Sequence, residues 1–98
     1  MRYDFDWDIR KAKSNFRKHK ISFERAATIF RDPNLLSIPD SGHSETEERW
    51  LTMGLDKSGV LLVISHTFTD ETESVSRIRI ISARGATNAE LKQYEEGI

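Results

Sequence analysis

Aromatic and acidic side chains alternate at the start of the chain, with Tyr3, Phe5 and Trp7 set against Asp4, Asp6 and Asp8. A period of two predicts a short half-buried strand. Asp8 then stands where a helix N-cap belongs, ahead of a segment from Ile9 to Lys18 in which Ile9, Ala12 and Phe16 share one face and Arg10, Lys11, Lys13 and Arg17 take the others. Ser14 and Asn15 are the poor helix formers of that segment. Ser22 caps a second helical pattern of Phe23, Ala26, Ala27, Ile29 and Phe30, reaching about Arg31. His19, Lys20 and Ile21 alone separate the two helices, so they are expected to cross steeply or run antiparallel. Asp32-Pro33 ends the second, because the residue before a proline is pushed out of the α region.

Beyond it the period returns to two. Leu35 to Ile38 reads as a short strand, Pro39 to Thr46 as a polar loop, and Arg49–Leu55, Val60–Thr67 and Val75–Ala83 as three further strands. The first two of these three join at Asp56-Lys57-Ser58-Gly59, a hairpin loop with its glycine late. Thr87 caps a last amphipathic helix from about Asn88 to Glu96, and Glu90 completes a capping box. The order predicts one α+β domain over residues 1–98: a short N-terminal strand, two helices, an antiparallel sheet of three to four strands and a C-terminal helix.

Composition narrows the function. There is no cysteine, which excludes disulfides, thiolate metal sites and a cysteine nucleophile. The longest apolar run, Val60 to Ile64, is five residues, against ~20 needed to span a bilayer, and the N-terminus lacks a signal-peptide pattern, so a cytoplasmic protein is expected. The net charge of −1 conceals a segregation. Residues 1–31 hold nine Lys/Arg and four Asp/Glu, residues 32–74 two and nine, and residues 75–98 four and three. Basic ends around an acidic middle permit a positive face for a polyanion, and equally permit a merely solvated surface.

The chemistry on offer is cationic. His19, His43 and His66 are too far apart in sequence for a metal motif, no phosphate-binding glycine loop or serine-hydrolase elbow occurs, and neither metal nor cofactor is expected. Arg77 and Arg79, two apart in a strand, point to one side while Ile78 and Ile80 point to the other, and Arg84, just past the expected strand end, could extend the same row. Guanidinium forks match phosphate oxygens and stay charged; pairing with Glu47, Glu48 or Glu71 is the alternative use. Arg17, Lys18, His19 and Lys20 gather at the end of the first helix, where they complement its dipole or contact phosphate. Glu48 and Arg49 begin a strand on opposite faces. His66 shares a face with Leu62 and Ile64, as a packed core histidine would, and His43 lies in the polar loop.

Several blocks together resemble a known family. Phe5-Asp6-Trp7-Asp8, Lys11-Ala12, Asn15, Lys18-His19, Ser22-Phe23-Glu24, Ala26-Ala27, Phe30 and Asp32-Pro33 resemble the opening of the BrnT-type toxins. His43-Ser44, Glu47-Glu48-Arg49 and Gly54 are similar to its middle block. Arg77 to Arg84, Ala86-Thr87, Glu90 and Tyr94 are similar to its close. The resemblance implies a RelE-like fold and a type II toxin that cleaves RNA and stops translation. It also implies a ribbon-helix-helix antitoxin of the BrnA type, two copies of each in the complex, and operator DNA bound through the antitoxin. Lys20 departs from the glycine that commonly follows the Lys-His pair in that family, at a place where glycine suits a left-handed helix end.

Cleavage of RNA without a metal needs a base for the 2′-hydroxyl, cations for the phosphorane and an acid for the leaving oxygen. On this reading Lys18, Arg49, Arg79 and Arg84 serve the phosphate, Glu48 or His66 transfers the proton, and Arg17, His19, Lys20 and Arg77 are further RNA contacts. A non-enzymatic module whose basic face docks an acidic partner competes with it. Direct DNA binding by this chain is disfavoured by the absence of a recognition helix.

Overall fold

The computed structural model describes residues 2–40, 42 and 48–97. The elements are β1 (Arg2–Trp7), α1 (Ile9–His19), α2 (Phe23–Ala27) running into a 3-10 turn (Thr28–Arg31), β2 (Leu36–Pro39), β3 (Trp50–Leu55), β4 (Leu61–Asp70), β5 (Val75–Gly85) and α3 (Asn88–Glu96). All three predicted N-caps form. The Asp8 carboxylate accepts from the backbone N–H groups of Arg10 and Lys11, Ser22 Oγ accepts from Arg25, and Thr87 and Glu90 make the reciprocal capping box.

The expected sheet is corrected in extent and in pairing. Five strands form one mixed sheet in the order β1-β5-β4-β3-β2. β2 to β5 form the antiparallel meander, while β1 adds to β5 in parallel, Tyr3 opposite Ser76 and Trp7 opposite Ile80. The alternation of β1 explains why it joins. Its aromatic side faces the helical layer, where Phe5 and Phe30 rings lie 5.5 Å apart and Trp7 stands edge-on to Phe23 at 5.9 Å. Phe23, Ala26 and Ile29 of the helical layer meet Leu62, Ile64, Ile78, Ile80 and Ala83 of the sheet in the buried core.

Helix α1 is rolled away from its expected orientation. Ile9 and Phe16 are largely exposed, and the buried residue of the helix is Asn15. The cause lies in β5. The pairing of β1 with β5 stops at Trp7 and Ile80, so the edge of β5 beyond it lacks a partner strand. Asn15 takes the strand's place: its Nδ2 donates to the Ala83 carbonyl (2.9 Å) and to the Ile21 carbonyl (3.2 Å), and its Oδ1 accepts from the Ala83 N–H (3.0 Å). The buried amide satisfies backbone groups that would otherwise be stranded, and it turns Ile9 and Phe16 to the flank.

The end of α1 bears out the reading of Lys20. Lys20 is the C-cap and sits in the left-handed region at φ 60°, ψ 28°, with its N–H on the Phe16 carbonyl. A side chain there costs about 1–2 kcal/mol, offset in part by the ammonium 6.0 Å from the Phe16 ring centre, worth about 0.5 kcal/mol when exposed. Lys20→Gly is therefore expected to raise stability by about 0.5–1 kcal/mol, visible as a higher urea midpoint at unchanged slope.

Gly54 is required for a different reason. A Cβ there would meet the Ile29 carbonyl at 3.2 Å and the Ile29 Cβ at 3.3 Å, so β3 and the 3-10 turn are in backbone contact. Asp32 fastens the same corner, accepting from the N–H of Asn34 and Leu55 and from the Tyr94 hydroxyl of α3.

Candidate functional site

Helices α1 and α2 cover one face of the sheet, while on the other α3 approaches only the Arg84 end through Glu90 and Gln93 and leaves the rest open. Residues paired directly across strands share a face. Thr69 and Thr67 of β4 stand opposite Arg77 and Arg79, and Asp4 and Asp6 of β1 flank the same two arginines from the other side. Between Ser65/His66 and Ser82/Ile80 the register slips by one, which leaves Ile81 as a bulge residue without a β4 partner. A bulge of one residue reverses the alternation after it. Without it Arg84 would point toward the helices. With it Ala83 goes into the core, Arg84 stands opposite Val63, and Arg77, Arg79, Ser82 and Arg84 form one row on the open face. Arg84 lies inside the strand rather than past its end.

Each arginine of the row has an acidic neighbour. Arg77 donates through Nε to Glu71 (2.6 Å) and through Nη1 to Asp6 (3.3 Å). Arg79 Nη1 lies 3.2 Å from Asp6 Oδ1. Arg84 makes a bidentate pair with Glu90, at 2.8 and 2.9 Å. Of the acidic residues that sequence proposed as partners, Glu71 is one; Asp6 and Glu90 were not foreseen. Asp6 is the more informative. Its Oδ1 is closed off from solvent, yet no donor among the described residues is aligned to hydrogen-bond it. The Asp6 carboxylate thus lies between the Arg77 and Arg79 guanidiniums and offsets part of their charge.

The Arg84–Glu90 pair sets an acid response. Arg84, and secondarily the N-cap N–H of Thr87, hold Glu90 well below its ordinary value of 4.5, at about 2, against the opposing effect of burial. A depressed carboxylate stabilises the fold above its unfolded pKa and loses that contribution as pH falls through the folded value. The stability gap between the wild type and Glu90→Gln is therefore expected to be full above about pH 4.5 and to close toward pH 2, measured by thermal melts across that range.

His66 lies on the opposite face, only 3% exposed, with its ring edge-on to Phe30 at 5.1 Å. Its Nδ1 is 3.1 Å from the Thr67 carbonyl, which can only accept, so Nδ1 carries the hydrogen. Burial pushes the imidazole below its ordinary pKa, the Thr67 carbonyl opposing, and the neutral ring offers Nε2 as an acceptor. Thr52 Oγ1 donates to it at 2.7 Å, and Ser37 Oγ donates to Thr52 at 2.7 Å. The chain Ser37–Thr52–His66 is directed inward, away from the arginine row.

The remaining candidates stand elsewhere. Arg17, Lys18, His19 and Lys20 are exposed at the end of α1, in the helical layer. Glu48 is exposed and Arg49 half-buried just ahead of β3, which begins at Trp50; the Arg49 carbonyl accepts from the Asp40 N–H. His43, Ser44 and Glu47 lie outside the described residues. The structure thus puts Arg77, Arg79 and Arg84 on one face, the first two sharing Asp6, and sets His66 on the other. Among the described residues no three metal-ligating side chains cluster, and no helix is long and apolar enough to cross a membrane.

Across β2, β3 and β4 the same open face turns apolar. Leu36, Ile38, Leu51, Met53 and Val63 line a groove of about 180 Å³, closed on the α3 side by Glu90 and Gln93.

Comparison with known proteins places this geometry. Residues 7–90 match the family model described as the ribonuclease toxin, BrnT, of type II toxin-antitoxin systems. The chain belongs to this family. The match runs from Trp7 through Glu90 and so takes in the whole arginine row. A BrnT family member implies an antitoxin partner, as the type II description states. In fold, the chain is similar to the Brucella abortus ribonuclease toxin BrnT, solved at 1.1 Å, with a TM-score of 0.61 at 17% identity over 90% of this chain and 100% of that one. No curated protein matches.

Proposed function

We propose that the chain is an RNA-cleaving toxin whose reaction takes place on the open sheet face, without a metal. The observation that carries this is the bulge at Ile81, which aligns Arg77, Arg79 and Arg84 on the face opposite α1 and α2. Arg77 and Arg79 bind the scissile phosphate and stabilise the charge that develops on it as the 2′-oxygen attacks, while Arg84, further along β5, holds a neighbouring phosphate. Asp6, seated between Arg77 and Arg79 with its side chain partly exposed, takes the proton of the 2′-hydroxyl; the P–O5′ bond breaks to leave a 2′,3′-cyclic phosphate, and the departing 5′-oxygen takes a proton from water. Asp6 replaces His66, which is buried on the other face, and Glu48, which has no hydrogen bond or ion pair with the row.

In this reading the fold is RelE-like, the protein works in the cytoplasm and its cleavage of RNA stops translation. A BrnA-type ribbon-helix-helix antitoxin, two copies with two of the toxin, holds it inactive and carries the complex to operator DNA. A second reading, a binding module without turnover, draws on the fact that every arginine of the row already has a carboxylate neighbour.

Turnover separates the two. Purified, antitoxin-free protein is mixed with a large excess of labelled RNA, with and without EDTA. Catalysis leaves many shortened RNAs per protein in both tubes. Intact RNA with only a mobility shift, weakening steeply with salt, supports the binding module, and cleavage abolished by EDTA contradicts the metal-free reaction.

A further inference from the structure

A second concavity lies on the helix-side face of the sheet, where Tyr3, Phe30, Leu35, Ser37, Trp50, His66 and Phe68 surround a cavity of about 240 Å³. That is far more than the ~30 Å³ share of one water molecule. Four of the seven are aromatic, and the rings are only partly used by the core. Tyr3 and Phe68 remain 39% and 40% exposed while standing edge-on to each other at 6.5 Å. One wall is polar. Ser37 gives its hydrogen to Thr52, which leaves the Ser37 oxygen as an acceptor.

The cavity communicates with the arginine row. The last pairing of β3 is Trp50 with His66, yet β4 continues through Thr67, Phe68, Thr69 and Asp70, paired only with β5. Among the described residues, that stretch of β4 pairs on one side only, with β5. Phe68 on one side of it faces the cavity, and Thr69 on the other stands opposite Arg77. A chain of phosphates and bases passing over this stretch presents phosphate to the arginines and a base to the rings. Cations border the cavity at its far rim as well, since Tyr3 and Phe30 also line the adjoining groove with Arg2 and Arg31.

We propose that this aromatic cavity seats one base of the RNA whose phosphate the open face binds, with the Ser37 oxygen accepting from a base N–H. The proposal rests on the RNA reading above. Aromatic side chains beside a cationic track are what single-stranded RNA requires, because bases stack on rings while guanidiniums follow the backbone.

The test uses the full chain carrying Trp7→Phe, which leaves Trp50 as its one tryptophan, titrated with a 2′-O-methyl RNA oligonucleotide that cannot be cleaved through a 2′-hydroxyl. Saturable quenching of Trp50 is expected. Tyr3→Leu and Phe68→Leu, which keep apolar bulk and remove the ring, should each weaken binding roughly tenfold, raising KM for RNA cleavage with kcat nearly unchanged. Their circular dichroism and melting confirm folding. Unaltered Trp50 emission, affinity of both leucine variants equal to that of the Trp7→Phe parent, or emission that responds to the antitoxin and not to the oligonucleotide overturns the base seat. Normal cleavage with unaffected leucine variants removes the seat and leaves the nuclease reading intact. Quenching and tenfold loss without any cleavage keep the seat and remove the nuclease.

Discussion

Arg79→Ala is expected to slow RNA cleavage by roughly 10²–10³ while leaving the fold almost as stable as before. The rate loss follows from removing a donor placed where charge develops on the phosphorane, an effect of that size where such a donor is preorganised. The small stability change follows from exposure. The Arg79 side chain is half exposed and its ion pair with Asp6 lies at the surface, where such pairs contribute about 0–1 kcal/mol. Single-turnover rates read the first effect and urea titration the second. Arg79→Lys should recover only part of the rate, since an ammonium restores the charge without the planar fork. Equal rates for the wild type and Arg79→Ala would remove Arg79 from the reaction.

Asn15→Ala is expected to be the most damaging conservative change in the helical layer, at about 2–4 kcal/mol. The side chain satisfies both backbone groups of Ala83 and the carbonyl of Ile21, all at buried positions. Stranding a buried polar group costs about 1–3 kcal/mol, and alanine strands three at once, relieved only where water enters. For a domain of this size the melting temperature should fall by roughly 10 °C or more. Asn15→Asp tests the logic further, because the carboxylate keeps the bond from the Ala83 N–H while losing the donor to both carbonyls. A thermal melt of Asn15→Ala unchanged from the wild type would show that the amide is dispensable.

What was legible in the sequence was local. Asp8, Ser22 and Thr87 cap helices through groups two or three residues away, so their type and spacing suffice. Lys20 stood out only through the resemblance, as a lysine where the family commonly has glycine, and it does take the left-handed conformation at the helix end. The polar hairpin at Asp56 likewise closes within five residues, its carboxylate accepting from Ser58 and Val60.

What escaped depended on contacts between distant segments. Asn15 looked like a flaw in a helix because its partner is 68 residues away. The parallel pairing of β1 with β5 has no turn between the strands to announce it. That Arg84 could extend the row of Arg77 and Arg79 was expected with Arg84 past the strand end; the bulge at Ile81, which puts it there from inside the strand, has no residue signature. Asp6 was visible as the polar side of β1, but nothing in β1 says that two arginines of β5 stand opposite. His66 was read both as a packed strand histidine and as a candidate proton-transfer group; that it is buried and faces away from the arginines required the register of the sheet.

The most direct test of the open-face assignment is the position of RNA on the folded protein, read from the arginine Nε–H resonances of the uncleaved complex with 2′-O-methyl RNA. Shifts concentrated at Arg77 and Arg79, together with the backbone amides of Ser65 and Thr67, are the predicted result. Shifts confined to Arg10 and Arg17 on α1, with the row undisturbed, would place the RNA on the helical layer and contradict the account.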